Sequence, residues 1–342
     1  MSIHIDIQGK DPFYKQIITQ VERGIREGKI APGQQIESMN ELATRMKISK
    51  ETVKKAYKVL VDRGIVVPRQ GKGFYAADLQ ASDAKPHVLV IFDKLSVYKQ
   101  TLFNAFADHL DNKAEITILT HNQSLDLLEY YLDQNLDLFD FYVITPHFPQ
   151  DAQSQRRAVK LLARVPNRKL IMLDHLLAGV QGHFGAVYQD FENDIYDGLK
   201  EGLDASLRPS RLRVITLPTS LYGQVIQKGV ERFAEDYQLP LEFLTTPPER
   251  IQENDTFLVL NSQLDAGLVD LTRKIQAAGL EVGSQVRIIS YNELDLNELI
   301  LGGLTTVSTD FRKMGTLAAE MILSRRLSRV HCPFHMIRRH TF

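Results

Sequence analysis

Apolar residues at Ile17, Ile18, Val21 and Ile25 recur at the spacing of one helical face, and Gly28 with the turn Ala31-Pro32-Gly33 ends that pattern. A second helix is expected after Ser38, with Leu42, Ala43 and Met46 facing inward. Glu41 stands three residues beyond the cap, the spacing of a capping box. Ile48-Ser49 reads as a tight turn. The helix that follows carries Val53, Ala56, Tyr57 and Leu60 as its buried stripe and stops at Gly64. Ile65-Val66-Val67 and Phe74-Tyr75-Ala76-Ala77 then flank Pro68 to Gly73 and predict a small hairpin with a basic tip. Two helices joined by a short turn and followed by a hairpin make a helix-turn-helix with a wing.

Beyond residue 86 the pattern changes. Short apolar, β-rich runs occur at Val88 to Phe92, Glu115 to Leu119, Phe141 to Thr145, Lys169 to Leu173, Leu212 to Leu217, Phe257 to Leu260 and Val286 to Ser290. Helical patterns lie between most of them: Thr101 to Leu110, Leu125 to Gln134, Ala152 to Arg164, Ile195 to Leu203, Val225 to Tyr237 and Leu268 to Ala278. Such alternation predicts an α/β fold with parallel sheets, long enough for two lobes. The expected organisation is residues 1–79 as the small head, 80–86 as a linker of small, polar and proline residues, and 87–342 as the body.

Composition sharpens this picture in three ways. With 44% hydrophobic and 24% charged residues, the chain has the balance of a globular protein. No apolar run is long enough to span a bilayer and the start lacks the basic and apolar regions of a signal peptide, so a cytoplasmic protein with no membrane partner is expected. The near-neutral total hides an asymmetry: residues 1–80 hold 14 Lys and Arg against 9 Asp and Glu, the remainder 27 against 33. A basic head on an acidic body suggests that only the head meets a polyanion.

The third helix carries the candidate chemistry. Its buried stripe leaves Lys50, Lys54 and Lys58 on other faces, the first two one turn apart near the N-terminus, the end that meets bases and phosphates in helix-turn-helix docking. With Pro12, Tyr14, Gln16 and Ile17, then Gly28, Ile30, Pro32 and Gly33, then Ser38, Glu41, Leu42 and Ala43, then Ser49 to Lys54, and finally Gln70 to Gly73, the head resembles the GntR-type DNA-binding domain. That resemblance implies contacts to double-stranded operator DNA from Ser38, Asn40, Ser49, Lys50, Glu51, Thr52, Lys54 and Lys55, and from Gln70, Gly71, Lys72 and Gly73 of the wing. Two positions depart from the family: Glu37 and Asn40 stand where Pro and Arg are common, and Glu37 would repel phosphate.

The body resembles the effector domain of LacI-type repressors and sugar-type periplasmic binding proteins, and the whole resembles arabinose-type repressors. Leu173-Asp174, Gly279-Leu280, Ile289 to Glu293, and Leu304 to Val307 followed by Gly315, Ala318 and Ala319 carry the likeness. It implies a monosaccharide held by Asp93, Ser96, Asp174, Tyr188, Asn261 and Asn292, at the carboxyl ends of strands. The arginine that grips ligand in relatives falls on Ile226. A further likeness to fucose-responsive regulators of Bacteroides implies L-fucose. Together these imply a homodimeric regulator, acting as a repressor of carbohydrate-utilisation genes, whose lobes close on the sugar and move two heads spaced about one DNA turn apart. A body that only dimerises, or takes a non-sugar effector, is the alternative.

Other chemistry is weakly represented. Gly71-Lys72-Gly73-Phe74-Tyr75-Ala76 matches the spaced glycines of a dinucleotide site, but neither a preceding strand nor a following helix accompanies it. His331, Cys332 and His335 supply at most three metal ligands within a segment, Val330 to Ile337, that reads as terminal β-structure. No nucleophile elbow, phosphate-binding loop or zinc-protease motif occurs, so no enzyme, cofactor or metal is expected.

Overall fold

The computed structural model describes residues 6, 11–26, 28–62, 64–69, 71–77, 85–202, 210–216, 220–260 and 266–342. Gln70, Asn261 and most of the expected linker lie outside these residues. The chain divides into two compact units, Met1–His87 with Asn135–Asp140, and Val88–Gln134 with Phe141–Phe342.

The first unit contains α1 (Phe13–Arg26), α2 (Met39–Met46), α3 (Lys50–Asp62) and the antiparallel hairpin β1 (Val66–Arg69) and β2 (Gly73–Ala76). Its core is the set of stripes that periodicity marks: Ile17, Val21, Leu42, Val53, Ala56 and Leu60 are all fully buried. Burying a side chain of this size stabilises by about 1.5–3 kcal/mol. Tyr57 meets Phe74 edge-on, with ring centroids 4.9 Å apart, so the wing is tied to the same core. Ile36 N–H donates to Phe74 O at 2.9 Å and Gly33 N–H to Ala76 O at 2.8 Å, which adds a backbone seam along the hairpin.

The body first alternates strand and helix, through β3 (His87–Phe92), α4 (Val97–Leu110), β4 (Glu115–Thr120), α5 (Leu125–Asn135), β5 (Phe141–Ile144), α6 (Ala152–Leu162) and β6 (Leu170–His175), and then adds β7 (Gly185–Gln189). The second half runs α7 (Phe191–Gly202), β8 (Arg211–Ile215), α8 (Gly223–Asp236), β9 (Leu241–Leu244), β10 (Asp255–Val259), α9 (Ala266–Ala277), β11 (Arg287–Tyr291), β12 (Thr305–Thr309), α10 (Phe311–Ser324), β13 (Arg329–His331) and β14 (Phe334–Ile337). Two six-stranded sheets result, ordered β13-β7-β6-β5-β3-β4 and β14-β12-β11-β10-β8-β9. Within them β3, β5, β6, β7 and β13 pair in parallel, as do β9, β8, β10, β11 and β12, while β14 runs antiparallel to β12. The two-lobed α/β architecture expected from the alternating pattern is therefore present.

Among the described residues, three crossovers join the lobes: at Asp190 between β7 and α7, at Asp310 between β12 and α10, and at Cys332-Pro333 between β13 and β14. They are laced together, since Asp310 N–H donates to Pro333 O at 3.0 Å and Cys332 N–H to Tyr188 O at 2.8 Å. After the second crossing, α10 returns to the first lobe, where Phe311, Met314, Ala318 and Ile322 share a core with Val88, Leu102 and Phe106. It lies so close to α4 that a Cβ on Gly315 would sit 2.2 Å from Leu102 O. Gly229 plays the same part in the second lobe, where α8 crosses α7 and an added Cβ would fall 2.2 Å from Glu192 O.

Two local features go beyond the sequence pattern. The terminal β-structure at Val330 to Ile337 is divided into two short strands in different sheets, because Pro333 stands at the crossing and cannot donate a ladder hydrogen bond. The first body helix begins at Val97, four residues before its apolar pattern is clear, because Ser96 caps it and Tyr98 stacks on Phe311 at 5.4 Å.

Candidate DNA-binding head and effector cleft

The sequence that starts α2 also fixes its side chains. Ser38 Oγ accepts from Glu41 N–H at 3.2 Å and Glu41 Oε2 accepts from Ser38 N–H at 2.9 Å, a complete capping box. Ser38 is thus engaged within its own helix end, while Asn40 is exposed. At the start of α3, Ser49 and Thr52 hydroxyls lie 2.7 Å apart and Ser49 Oγ accepts from Thr52 N–H at 3.2 Å. Beyond this cap Lys50, Glu51, Lys54 and Lys58 are exposed, and Lys54 Nζ lies 3.4 Å from Glu51 Oε1. Lys55 behaves differently: its ammonium lies over the Tyr14 ring, 4.0 Å from the centroid, so it braces α3 against α1.

In the wing, Gly71 and Gly73 take φ values of 71° and 97°, the left-handed region that glycine enters without strain. Lys72 is exposed at the tip, and its carbonyl accepts from Gln35 Nε2 at 2.9 Å and from Tyr75 Oη–H at 3.1 Å. Glu37, expected to repel phosphate, instead receives two hydrogen bonds from Arg45, from Nε at 2.7 Å and from Nη2 at 2.6 Å, and its backbone carbonyl accepts from Tyr57 Oη–H. Its charge is neutralised locally, which reduces the repulsion expected from sequence.

The second candidate site lies where the first-lobe strands end. Asp93 follows β3, Thr145 and His147 follow β5, Asp174 and His175 close β6, and Gln189 closes β7. Asp174 adopts φ 72°, a left-handed backbone that Asp tolerates better than most residues. Lys99, one turn into α4, is almost fully buried and is ion-paired to Asp174, with Asp93 Oδ1 at 3.4 Å. His147 Nε2 lies 2.7 Å from Asp174 Oδ2, and Gln189 Nε2 donates to Asp174 Oδ1. Thr145 Oγ donates to Asp93 Oδ1 at 3.2 Å.

From the second lobe, Tyr222 Oη reaches His147 Nδ1 at 2.8 Å and Thr309 Oγ donates to Gln189 Oε1 at 2.6 Å, so the lobes meet across this cluster. Tyr222 is held by stacking on Phe191, 4.2 Å between centroids.

Electrostatics follows from burial and pairing. Burial would raise the Asp174 carboxyl, but Lys99 and His147 outweigh it and hold the group well below the usual carboxylate range. His175 is pushed down to about 4 by burial and by the neighbouring His147, so it is neutral at physiological pH. Among the described residues its Nδ1 is buried without a hydrogen-bond partner, as are Tyr291 Oη and Asn292 Oδ1. Unpaired buried polar atoms are rare and mark places where another group belongs.

The expected ligand residues thus separate. Asp93 and Asp174 are in the cluster, and Asn292 offers an unpaired oxygen at the end of β11, also with a left-handed φ of 71°. Ser96 instead accepts from Lys99 N–H as the α4 cap. Tyr188 faces away: strand alternation puts its neighbour Gln189 into the cluster and turns Tyr188 toward His331, 5.7 Å between rings. Ile226, where relatives place an arginine, is buried in the second-lobe core. The cation is Lys99, which sequence reasoning missed along with His147, His175, Gln189, Tyr222 and Thr309; polar residues just past β-rich runs were the available signal.

Comparison with known proteins agrees with both parts. Residues 13–76 match the bacterial regulatory proteins of the gntR family, and residues 182–340 match the periplasmic binding protein-like domain. Over 76 residues, 22% of this chain, the head is 38% identical to the HTH-type transcriptional repressor YtrA of Bacillus subtilis. That match spans 58% of YtrA, under two thirds of its length. The arabinose metabolism transcriptional repressor of Halalkalibacterium halodurans is 23% identical across 93% of this chain and 89% of its own.

Among solved structures, the Lac repressor bound to ONPG has a TM-score of 0.60 at 16% identity, covering 86% of this chain and 90% of its own. A periplasmic binding protein/LacI transcriptional regulator from Alkaliphilus metalliredigens, complexed with D-xylulofuranose, has a TM-score of 0.53 at 13% identity over 75% of this chain and 99% of its own. The chain therefore joins a gntR-type regulatory domain to a periplasmic binding protein-like body of the LacI fold.

Proposed function

We propose that the protein is a cytoplasmic transcriptional regulator, a repressor of carbohydrate-utilisation genes, that binds operator DNA through α3 and the wing and is controlled by a small neutral sugar held between the lobes. The observation that carries this reading is the buried polar cluster at the strand ends, met from the second lobe by Tyr222 and Thr309. A sugar hydroxyl both donates and accepts, so vicinal hydroxyls can part Lys99 from Asp93 and Asp174 and satisfy each side. A phosphate or carboxylate would instead face two buried carboxylates. The sugar in the Alkaliphilus structure and the arabinose repressor support the class, and L-fucose is one neutral sugar to include.

A homodimer suits this reading. Leu95, Val97, Leu296 and Leu299 are 50–78% exposed, beside a groove of about 610 Å³ lined by Val97, Leu294, Leu296, Phe311 and Ile337. Exposed apolar patches of this kind mark interaction sites.

The test is a thermal-shift panel on the full chain with pentoses, hexoses, deoxysugars and their phosphates. At 100 times its Kd, a ligand stabilises by about 2.7 kcal/mol, enough to see as a shift of several degrees. A shift with a neutral sugar that also changes DNA binding is the expected result. Because the cleft is already filled by its own ion pairs, a body that only dimerises is the second reading, and no shift with any sugar would favour it or a non-sugar effector.

A further inference from the structure

The two histidines near the third crossover each face an acid of α7. His335 Nδ1 lies 3.5 Å from Glu201, within the second lobe. His331 is on β13 in the first-lobe sheet, and its Nε2 lies 2.6 Å from Oδ1 of Asp194, in the first turn of α7 in the second lobe. This contact bridges two of the three crossovers. Asp194 is buried to 2% side-chain exposure, whereas His331 is 48% exposed and can exchange protons with solvent.

The other groups around the pair are few. Asp194 Oδ2 accepts from Asp190 N–H at 2.8 Å, and the Asp190 carboxylate, which adds like charge, is itself bonded to Asn193. From β11 the buried Tyr291 hydroxyl feels Asp194 and Asp174 and has no hydrogen-bond partner among the described residues. From β7 the Tyr188 ring covers His331. The cation that acts on Asp194 is His331 itself.

We propose that Asp194 and His331 form a proton-loaded latch across the hinge, so that acidification favours the closed arrangement of the lobes and proton release loosens it. Burial drives the Asp194 carboxyl up to about 6, with His331 opposing. The sign follows: a carboxyl raised by folding contributes stability at low pH that is lost as pH rises through its folded value. Above that value the pair holds a buried carboxylate at the hinge, which burial disfavours. The gap from 3.8 to about 6 corresponds to roughly a 100-fold change in the equilibrium it acts on.

The test needs no effector. A pH-insensitive fluorophore pair is placed on Tyr130→Cys in the first lobe and Val269→Cys in the second, both exposed, with Cys332 buried and protected. In the full chain, transfer efficiency is expected to fall between pH 5.5 and pH 8; Asp194→Asn is expected to abolish that change, and His331→Gln, which removes the group that opposes the rise, to move its midpoint to higher pH. Melting temperatures over the same range should fall more in wild type than in Asp194→Asn. If the wild type shows no pH-dependent change in transfer, if folded Asp194→Asn keeps the full change, or if His331→Gln leaves the midpoint where it was, the latch is wrong; should Asp194→Asn fail to fold, the midpoint of His331→Gln decides the question. A sugar panel without hits would leave this result untouched, and the reverse also holds.

Discussion

Replacing Lys99 by Met should be among the most damaging single changes in the body. The side chains of Lys99 and Asp174 are each about 6% exposed, so solvent screens little of their interaction. Met keeps the length and volume of the stem but removes the ammonium, leaving Asp93 and Asp174 buried with the neutral partners Thr145 and Gln189 and with His147. Breaking a buried pair in this way costs about 3–5 kcal/mol, because one charge stays uncompensated. For a domain of this size each kcal/mol moves the melting temperature by about 2–4 °C, which puts the expected drop near 10 °C.

Calorimetry of the full chain at pH 7 measures it, and pH supplies a second check. In the wild type Asp174 is held far below its ordinary range, so its contribution is present above that range and lost only in strong acid. Without Lys99, burial raises the same carboxyl, and the variant should recover relative to wild type as pH falls toward 5. Adding Asp174→Asn to Lys99→Met should restore part of the loss. A drop under 2 °C with no rescue would refute the account of the cluster as a tightly balanced charge network.

Three further outcomes follow from the geometry. Lys50→Ala and Lys54→Ala should each weaken DNA binding and lower the salt slope of log Kd by about 1, read by fluorescence anisotropy at several salt concentrations. Gly315→Ala should lower stability by about 1–3 kcal/mol in denaturant unfolding, because its Cβ would press on Leu102 O and force α10 away from α4. Tyr222→Phe should remove the lobe-to-lobe hydrogen bond to His147, cost about 1–3 kcal/mol in thermal unfolding and weaken any sugar response found in the panel.

The head was largely readable because its signals are local. A cap, a stripe at helical spacing and a glycine stop all act within a few residues, and Ser38, Glu41, Val53 and Leu60 occupy the roles their spacing predicts. The strand-helix alternation of the body was equally plain. The cleft was not, because its members come from separated segments and meet only through topology. Lys99 is three residues from a cap and looks like one more solvated lysine; only the arrival of Asp93 and Asp174 from the ends of β3 and β6 makes its burial tolerable. Tyr188 and Gln189 show the limit of reading a strand end, since the two-residue period decides which of them faces the cleft and no single sequence fixes that phase.

The third crossover has a consequence for how the protein is made. Residues 329–337 supply an edge strand to each of the two sheets, and α10 just before them completes the first-lobe core. Neither lobe can therefore finish folding while the ribosome is still making the preceding three hundred residues. The head proposed to bind DNA, whose core is drawn from its own residues, emerges before the body and can fold long before the part that is proposed to control it.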